Sequence, residues 1–158
     1  MTEQDKEFMR RAIVLAQDGI EKGAGGPFGA VIVKDGEIVG EGCNRVTSTN
    51  DPTAQAEVVA IRAACQNLNS FQLDGCVLYA SCEPCPMCLG AVYWARPEVV
   101  YFAGTKDDAA YGGFDDSFIY NELSLPEGSR SLPLQRYDVP GAVDVFREWA
   151  AAPHSTPY

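Results

Sequence analysis

Apolar residues at Phe8, Met9, Ala12, Ile13, Leu15, Ala16 and Ile20 recur at helical spacing, so the chain opens with an amphipathic helix. Thr2 stands where it can cap that helix, with Asp5 three residues on to complete a capping box. Glycines and a proline at 23–27 end it. Residues 28–34 then form an apolar run that predicts a strand. Asp35 and Gly36 supply a two-residue hairpin turn, and 37–43 make the return strand. Residues 45–51 are a polar loop. Thr53 opens a second helix, with Gln55 and Glu57 in its first turn and Val58, Ile61 and Cys65 as its apolar positions. Residues 76–82 are mostly apolar on both faces, which marks a central strand. Residues 89–95 predict another helix, Pro97 a break, and 98–103 a fourth strand. Helices and strands alternating in this order define a three-layer α/β domain. The pattern weakens beyond residue 112. Residues 125–140 read as a long loop, 142–151 as a short helix with Val145, Phe146 and Trp149 on its apolar face, and 152–158 as extended chain.

Composition narrows the possibilities. The 158 residues suffice for one domain with a substantial core. A net charge of −10 repels phosphate backbones. Nucleic acid is therefore a poor substrate, and a small neutral molecule suits the surface better. No apolar run approaches membrane-spanning length, and no basic, apolar leader opens the chain; the expected setting is the cytoplasm, away from any membrane. In that setting the six cysteines are expected to be buried thiols plus one metal-binding or redox pair, not disulfides.

The pair is Cys85 and Cys88, at C-x-x-C spacing after a strand and at the opening of a helix. The positive end of a helix favours thiolate, the form that a metal or an electrophile needs. Two soft ligands and a third from a facing helix would leave an open position for water, the pattern of catalytic zinc. The same spacing also suits a thioredoxin-like redox pair. Glu57 is either a helix-start carboxylate favoured by the dipole or, facing such a metal, a proton shuttle. Upstream, Gln55-Ala56-Glu57 stands where the zinc deaminase signature has His-x-Glu, and 84–88 supplies its P-C-x-x-C. That pairing favours zinc. Asn44, at the end of the second strand, offers both a donor and an acceptor to a base edge, or else supports a turn. The glycines at 23–26 match no phosphate-binding pattern. Asp115 and Asp116 by themselves suggest a helix cap or solvated turn, and His154, the only histidine, an exposed side chain.

Four blocks carry a family resemblance: GGPFGAVIVKDG at 25–36, NDPTAQAEV at 50–58, SCEPCPMCLGA at 81–91 and GFDDSFIY at 113–120, the last joined by YWAR at 93–96. On these the chain resembles the bacterial guanine deaminases of the cytidine-deaminase superfamily, from its first helix to its last residue. The resemblance implies an α/β/α fold with a mixed five-stranded sheet. It implies a single zinc-dependent domain over 1–158, whose segment from about 140 to 158 is exchanged between two subunits of a homodimer. It also implies one zinc per subunit and hydrolysis of guanine to xanthine and ammonia by a zinc-activated water. By matching position, Cys85 and Cys88 would be metal ligands, with Gln55 in the place of the histidine ligand, and Glu57 the proton shuttle. Asn44 would hold the purine, Phe28 and Trp94 would line or stack on it, and Ala56 and Phe114 would lie beside it. Asp116 would read the guanine edge and assist proton movement, and Tyr158 would close the neighbouring subunit's pocket. Gln55 sets a competing expectation, a purine-binding protein on the same fold with impaired or no turnover, and a related deaminase acting on another aminated heterocycle is a further alternative.

Overall fold

The computed structural model describes residues 2–158. Helix α1 spans Glu3–Glu21, and its capping box is formed as the sequence suggests: the Thr2 hydroxyl accepts from the Asp5 N–H while the Asp5 carboxylate accepts from the Thr2 N–H. Strands β1 (Gly29–Lys34) and β2 (Glu37–Cys43) form an antiparallel hairpin. Its turn residues Asp35 and Gly36 have φ of 51° and 80°, the left-handed pair that matches the twist of the flanking strands. Helix α2 is a single turn, Val46–Thr49, inside the segment expected as loop. Helix α3 runs Ala56–Leu68, β3 Cys76–Cys82, α4 Pro86–Ala95 and β4 Val99–Gly104.

The sheet order is β2-β1-β3-β4. Strand β1 is antiparallel to β2 and β3, and β3 is parallel to β4 through the α4 crossover. The sheet therefore has four strands, one fewer than the family resemblance implies. The chain after β4 turns straight into a helix instead of another strand, because Thr105 and Asp108 form a second capping box at the start of α5 (Lys106–Tyr111). Helix α6 (Ser117–Ser124) follows, and residues 133–139 belong to no helix or strand. The chain forms two compact units, one up to Ser117 and a second, Phe118–Tyr158, which contains α7 (Asp144–Ala151). No helix among the described residues is long and apolar enough to cross a membrane.

Alternation along the strands sorts the core of the first unit into two layers. Ala30 and Ile32 of β1 and Leu78 and Ala80 of β3 face α3 and α4, where Ala56, Ala60, Ala64, Val92 and Ala95 meet them. Val31, Val33 and Tyr79 face α1, where Met9 and Ala12 pack. The Tyr79 hydroxyl donates to Asp5 across 2.6 Å, so a buried ring in the central strand also anchors the first turn of α1. Small residues bring helices and sheet together. A Cβ on Gly42 would stand 2.3 Å from the Ala56 carbonyl oxygen, and one on Gly40 would stand 2.5 Å from that of Ala60. The backbone of α3 thus lies directly on β2, which sets the depth of its N-terminus above the sheet. We expect Gly42→Ala to destabilise the fold by about 1–3 kcal/mol, since backbone must move to admit the methyl. Gly128→Ala, with nothing within 4 Å of the added carbon, is the matched control. Urea denaturation checks this through the midpoint, and equal midpoints for the two variants would contradict it.

Candidate active site

The site lies beyond the carboxyl end of β3, where chain leaving a parallel strand enters a helix. Cys85 is the N-cap of α4, with extended backbone (φ −65°, ψ 168°), and its sulfur accepts from the Cys88 N–H at 3.4 Å. Pro86 follows at the first helical position, where a missing N–H costs nothing. From the other side comes the start of α3. Gln55 is its N-cap but makes no side-chain capping bond. Its carboxamide turns instead to the two cysteines: Gln55 Oε1 lies 3.1 Å from Cys85 Sγ and 3.2 Å from Cys88 Sγ. Glu57 is buried, with Oε2 3.3 Å from Cys88 Sγ.

Three sulfur–oxygen contacts join Gln55, Glu57, Cys85 and Cys88. Cys85 is held below the ordinary thiol range, at about 7, by the hydrogen bond from Cys88 and by the backbone N–H groups of Cys88 and Met87. Cys88 is pushed upward by its Cys85 partner, by burial and by the Glu57 carboxylate. Burial likewise raises Glu57, against opposing hydrogen bonds from its own N–H and from Cys88. Two thiols, a carboxyl and an amide oxygen therefore converge on one point. Among the described residues no group of three or more His, Cys, Asp and Glu side chains is placed to hold a metal ion. The third inward-facing donor here is the amide oxygen of Gln55.

A second cluster adjoins the first. The Arg45 N–H donates to the Ala54 carbonyl at 2.8 Å, tying the end of β2 to the residues just before Gln55. Asn44 is buried, and its N–H donates to the Phe28 carbonyl at 3.0 Å. Phe28 meets Phe114 edge to face, with ring centroids 5.0 Å apart. The structure thus joins Gln55, Glu57, Cys85 and Cys88 in one group and Phe28, Asn44 and Phe114 in a neighbouring one. Ala56 is fully buried in the core beneath α3. Asp115 accepts from the Ser117 N–H at 2.9 Å, which is the capping role its type suggests, while Asp116 is half-buried beside it. Trp94 is exposed on α4, and Tyr158 and His154 are exposed in the second unit. Sequence reasoning passed over Gly25 and Gly26 as loop. A Cβ on Gly26 would meet both aromatic rings at 3.1 Å, and one on Gly25 would collide with Asn44. Two adjacent glycines before Pro-Phe were the available signal.

Residues 2–103 match the family model of the cytidine and deoxycytidylate deaminase zinc-binding region, and the chain belongs to that family. It is similar to guanine deaminase of Bacillus subtilis (strain 168), 56% identical over 142 residues, which are 90% of this chain and 91% of that protein. It superposes on the X-ray structure of a guanine deaminase from Bacillus subtilis with a TM-score of 0.94 at 53% identity, covering 97% of this chain and 98% of the other. A tRNA-specific adenosine deaminase of Aquifex aeolicus (strain VF5) is more distant, 37% identical over 90% of this chain and 91% of its own.

Glu57 permits a test of the electrostatics. Its raised folded-state pKa means that stability from the protonated carboxyl is full below the unfolded value, about pH 4, and is lost as pH rises through the folded value. Glu57→Gln removes that loss. In metal-free protein the variant should melt higher than the parent at neutral pH and nearly level with it below about pH 4. A lower melting temperature at pH 7 would contradict the assignment.

Proposed function

We propose that this chain is built to deaminate guanine hydrolytically, giving xanthine and ammonia, and that Gln55 restrains its turnover. The observation that carries the reading is the placement of the buried Glu57 carboxylate against the Cys85–Cys88 pair at the start of α3. Its support from relatives is the 56% identity to a guanine deaminase over nine-tenths of both chains. The acidic charge of −10 also favours a free base over tRNA.

The family is zinc-binding, and the donor atoms present suit that ion in part. Cys85 and Cys88 offer the soft, anionic ligands that zinc prefers, and Gln55 Oε1, in contact with both sulfurs, would be the weak third donor. When bound, zinc supplies the Lewis acidity that makes water nucleophilic near neutral pH. Glu57, with its affinity for a proton raised by burial, takes one from the attacking water and delivers it to the departing amine. Phe28, Trp94 and Phe114 supply aromatic surface for the purine, Ala56 the backbone beside it, Asn44 a hydrogen-bonding edge and Asp116 a carboxylate for the amine-bearing side. The six free thiols support a reducing, cytoplasmic setting.

Gln55 favours a second reading, a purine-binding protein with little turnover. A neutral amide oxygen is a poor zinc donor beside imidazole, so affinity is expected to fall by several kcal/mol of the roughly 10–16 typical of complete structural sites. Gln55→His should restore one tightly held zinc per chain, read by metal analysis, together with guanine turnover, read by ammonia release. If the parent already turns over guanine at a rate that the histidine form does not improve, Gln55 is an adequate ligand and the restraint does not exist. A histidine form that binds zinc and guanine but releases no ammonia would establish the second reading.

The quaternary proposal is a homodimer exchanging about 140–158, with Tyr158 closing the partner's pocket. Its support is apolar surface in the second unit: Leu132, Leu134, Val145, Phe146 and Trp149 are all exposed in the single chain, more than a soluble segment of that length ordinarily shows. Light scattering should give twice the 17.1 kDa chain mass. Deleting 154–158 should raise KM for guanine in the Gln55→His form while leaving the circular dichroism unchanged. Unaltered kinetics would make the tail a frayed terminus.

A further inference from the structure

Asn44 is only 6% exposed, and its side-chain oxygen accepts from two backbone N–H groups, Gly26 at 3.2 Å and Val46 at 3.1 Å. Both partners are donors, so the atom facing them is the oxygen and the amide orientation follows from the network. No buried side-chain nitrogen or oxygen among the described residues lacks a partner, and no described hydrogen bond uses the Asn44 Nδ2. The NH2 group is therefore the open end of this otherwise enclosed side chain. A circuit of backbone bonds holds it: Phe28 N–H to the Gly26 carbonyl at 2.8 Å, Asn44 N–H to the Phe28 carbonyl at 3.0 Å, and Gly26 N–H back to the Asn44 side chain.

Gly25 presses on this circuit from outside. A Cβ there would stand 2.3 Å from Asn44 Oδ1, 2.7 Å from its carbonyl oxygen and 2.9 Å from its carbonyl carbon. Two of those atoms are backbone, so the side chain cannot simply swing aside to make room. Glycine is required at 25 by close approach. Gly26, its neighbour, performs the corresponding service for the Phe28–Phe114 ring pair.

We propose that Gly25 is a positioning residue for the base pocket: its missing side chain leaves room for the Asn44 oxygen to reach the Gly26 and Val46 N–H groups, which hold it inward and leave the side-chain NH2 facing outward. The pocket then selects heterocycles offering an acceptor, a carbonyl oxygen or an unprotonated ring nitrogen, at that edge. This rests on Asn44 holding the base, as in the proposed function.

Guanine binding to the full chain, measured by isothermal titration, tests it with Gly25→Ala, Asn44→Ala and the double variant. Each single substitution should weaken guanine by about ten-fold or more, as expected for a lost buried hydrogen bond. In the double variant the two losses should fall well short of adding, because the side-chain contact that both affect is already gone, with only the clash against the Asn44 backbone remaining. A Gly25→Ala loss of equal size in the Asn44→Ala background would overturn the positioning role, leaving Gly25 a general loop requirement. The Asn44 side-chain NH2 resonances provide a readout independent of substrate. They should move in Gly25→Ala while the dispersed backbone spectrum persists, and unchanged resonances would overturn the proposal. If Asn44→Ala leaves guanine binding intact, or if the parent binds no guanine, the substrate reading fails, and these resonances still decide whether Gly25 sets the amide.

Discussion

Close contact between the α3 backbone and β2 is the constraint on which the site depends. Gly40 and Gly42 have no side chain to hold the helix away, and Ala56, Ala60 and Ala64 present one methyl per turn to the gap. Any larger residue on either side would lift α3 off the sheet. Its first turn carries Gln55 and Glu57, whose oxygens reach the cysteine sulfurs at 3.1–3.3 Å. An outward shift of an ångström would turn these contacts into open space. The seam that stabilises the core therefore also sets the distance at which the first turn of α3 meets the sulfurs.

The two clusters at this end of the sheet have opposite electrical character. Around Cys85 and Cys88, sulfur and oxygen atoms converge at 3.1–3.3 Å. At Asn44, the side-chain oxygen is paired with two backbone donors and the open function is the NH2. In the proposed function a purine would lie between these neighbours with its electron-rich edge toward Asn44 and its electrophilic carbon toward the sulfur-bearing end. The Phe28–Phe114 ring pair would then supply affinity without demanding a particular edge, and the polar groups would decide orientation.

If Gln55 stands in the place of a histidine ligand, as in the proposed function, it would leave the structure intact and change only the chemistry. Its side-chain oxygen contacts both sulfurs from the start of α3. What changes is donor strength. A neutral amide oxygen is a weak donor to zinc because electronegative oxygen holds its lone pairs tightly, whereas the sp2 nitrogen of imidazole is a much stronger base. Fold and ligand geometry can therefore persist where catalysis is diminished.

Local patterning was enough to place most elements. The capping box at Thr2, the Asp35-Gly36 turn, the apolar run of β1, the two-faced β3 and the C-x-x-C helix start each depend on neighbours within a few residues, and the structure has them where the sequence suggests. Helix α5 also had a local signal, Thr105 with Asp108, that went unused, and the fifth strand implied by family likeness is absent from the sheet. The identity of the thiol pair and of Glu57 as candidates was likewise legible from spacing. Tertiary structure alone decided which of two open roles each residue takes. Asp115 became a cap, and Gln55 abandoned its cap to face sulfur. Asn44 turned its oxygen to the N–H groups of Gly26 and Val46, and Gly25, nineteen positions earlier, has no Cβ to collide with it there. Spacing along a chain specifies what lies on one face of one element; the contact of two backbones from distant segments depends on packing between elements, which no local pattern encodes.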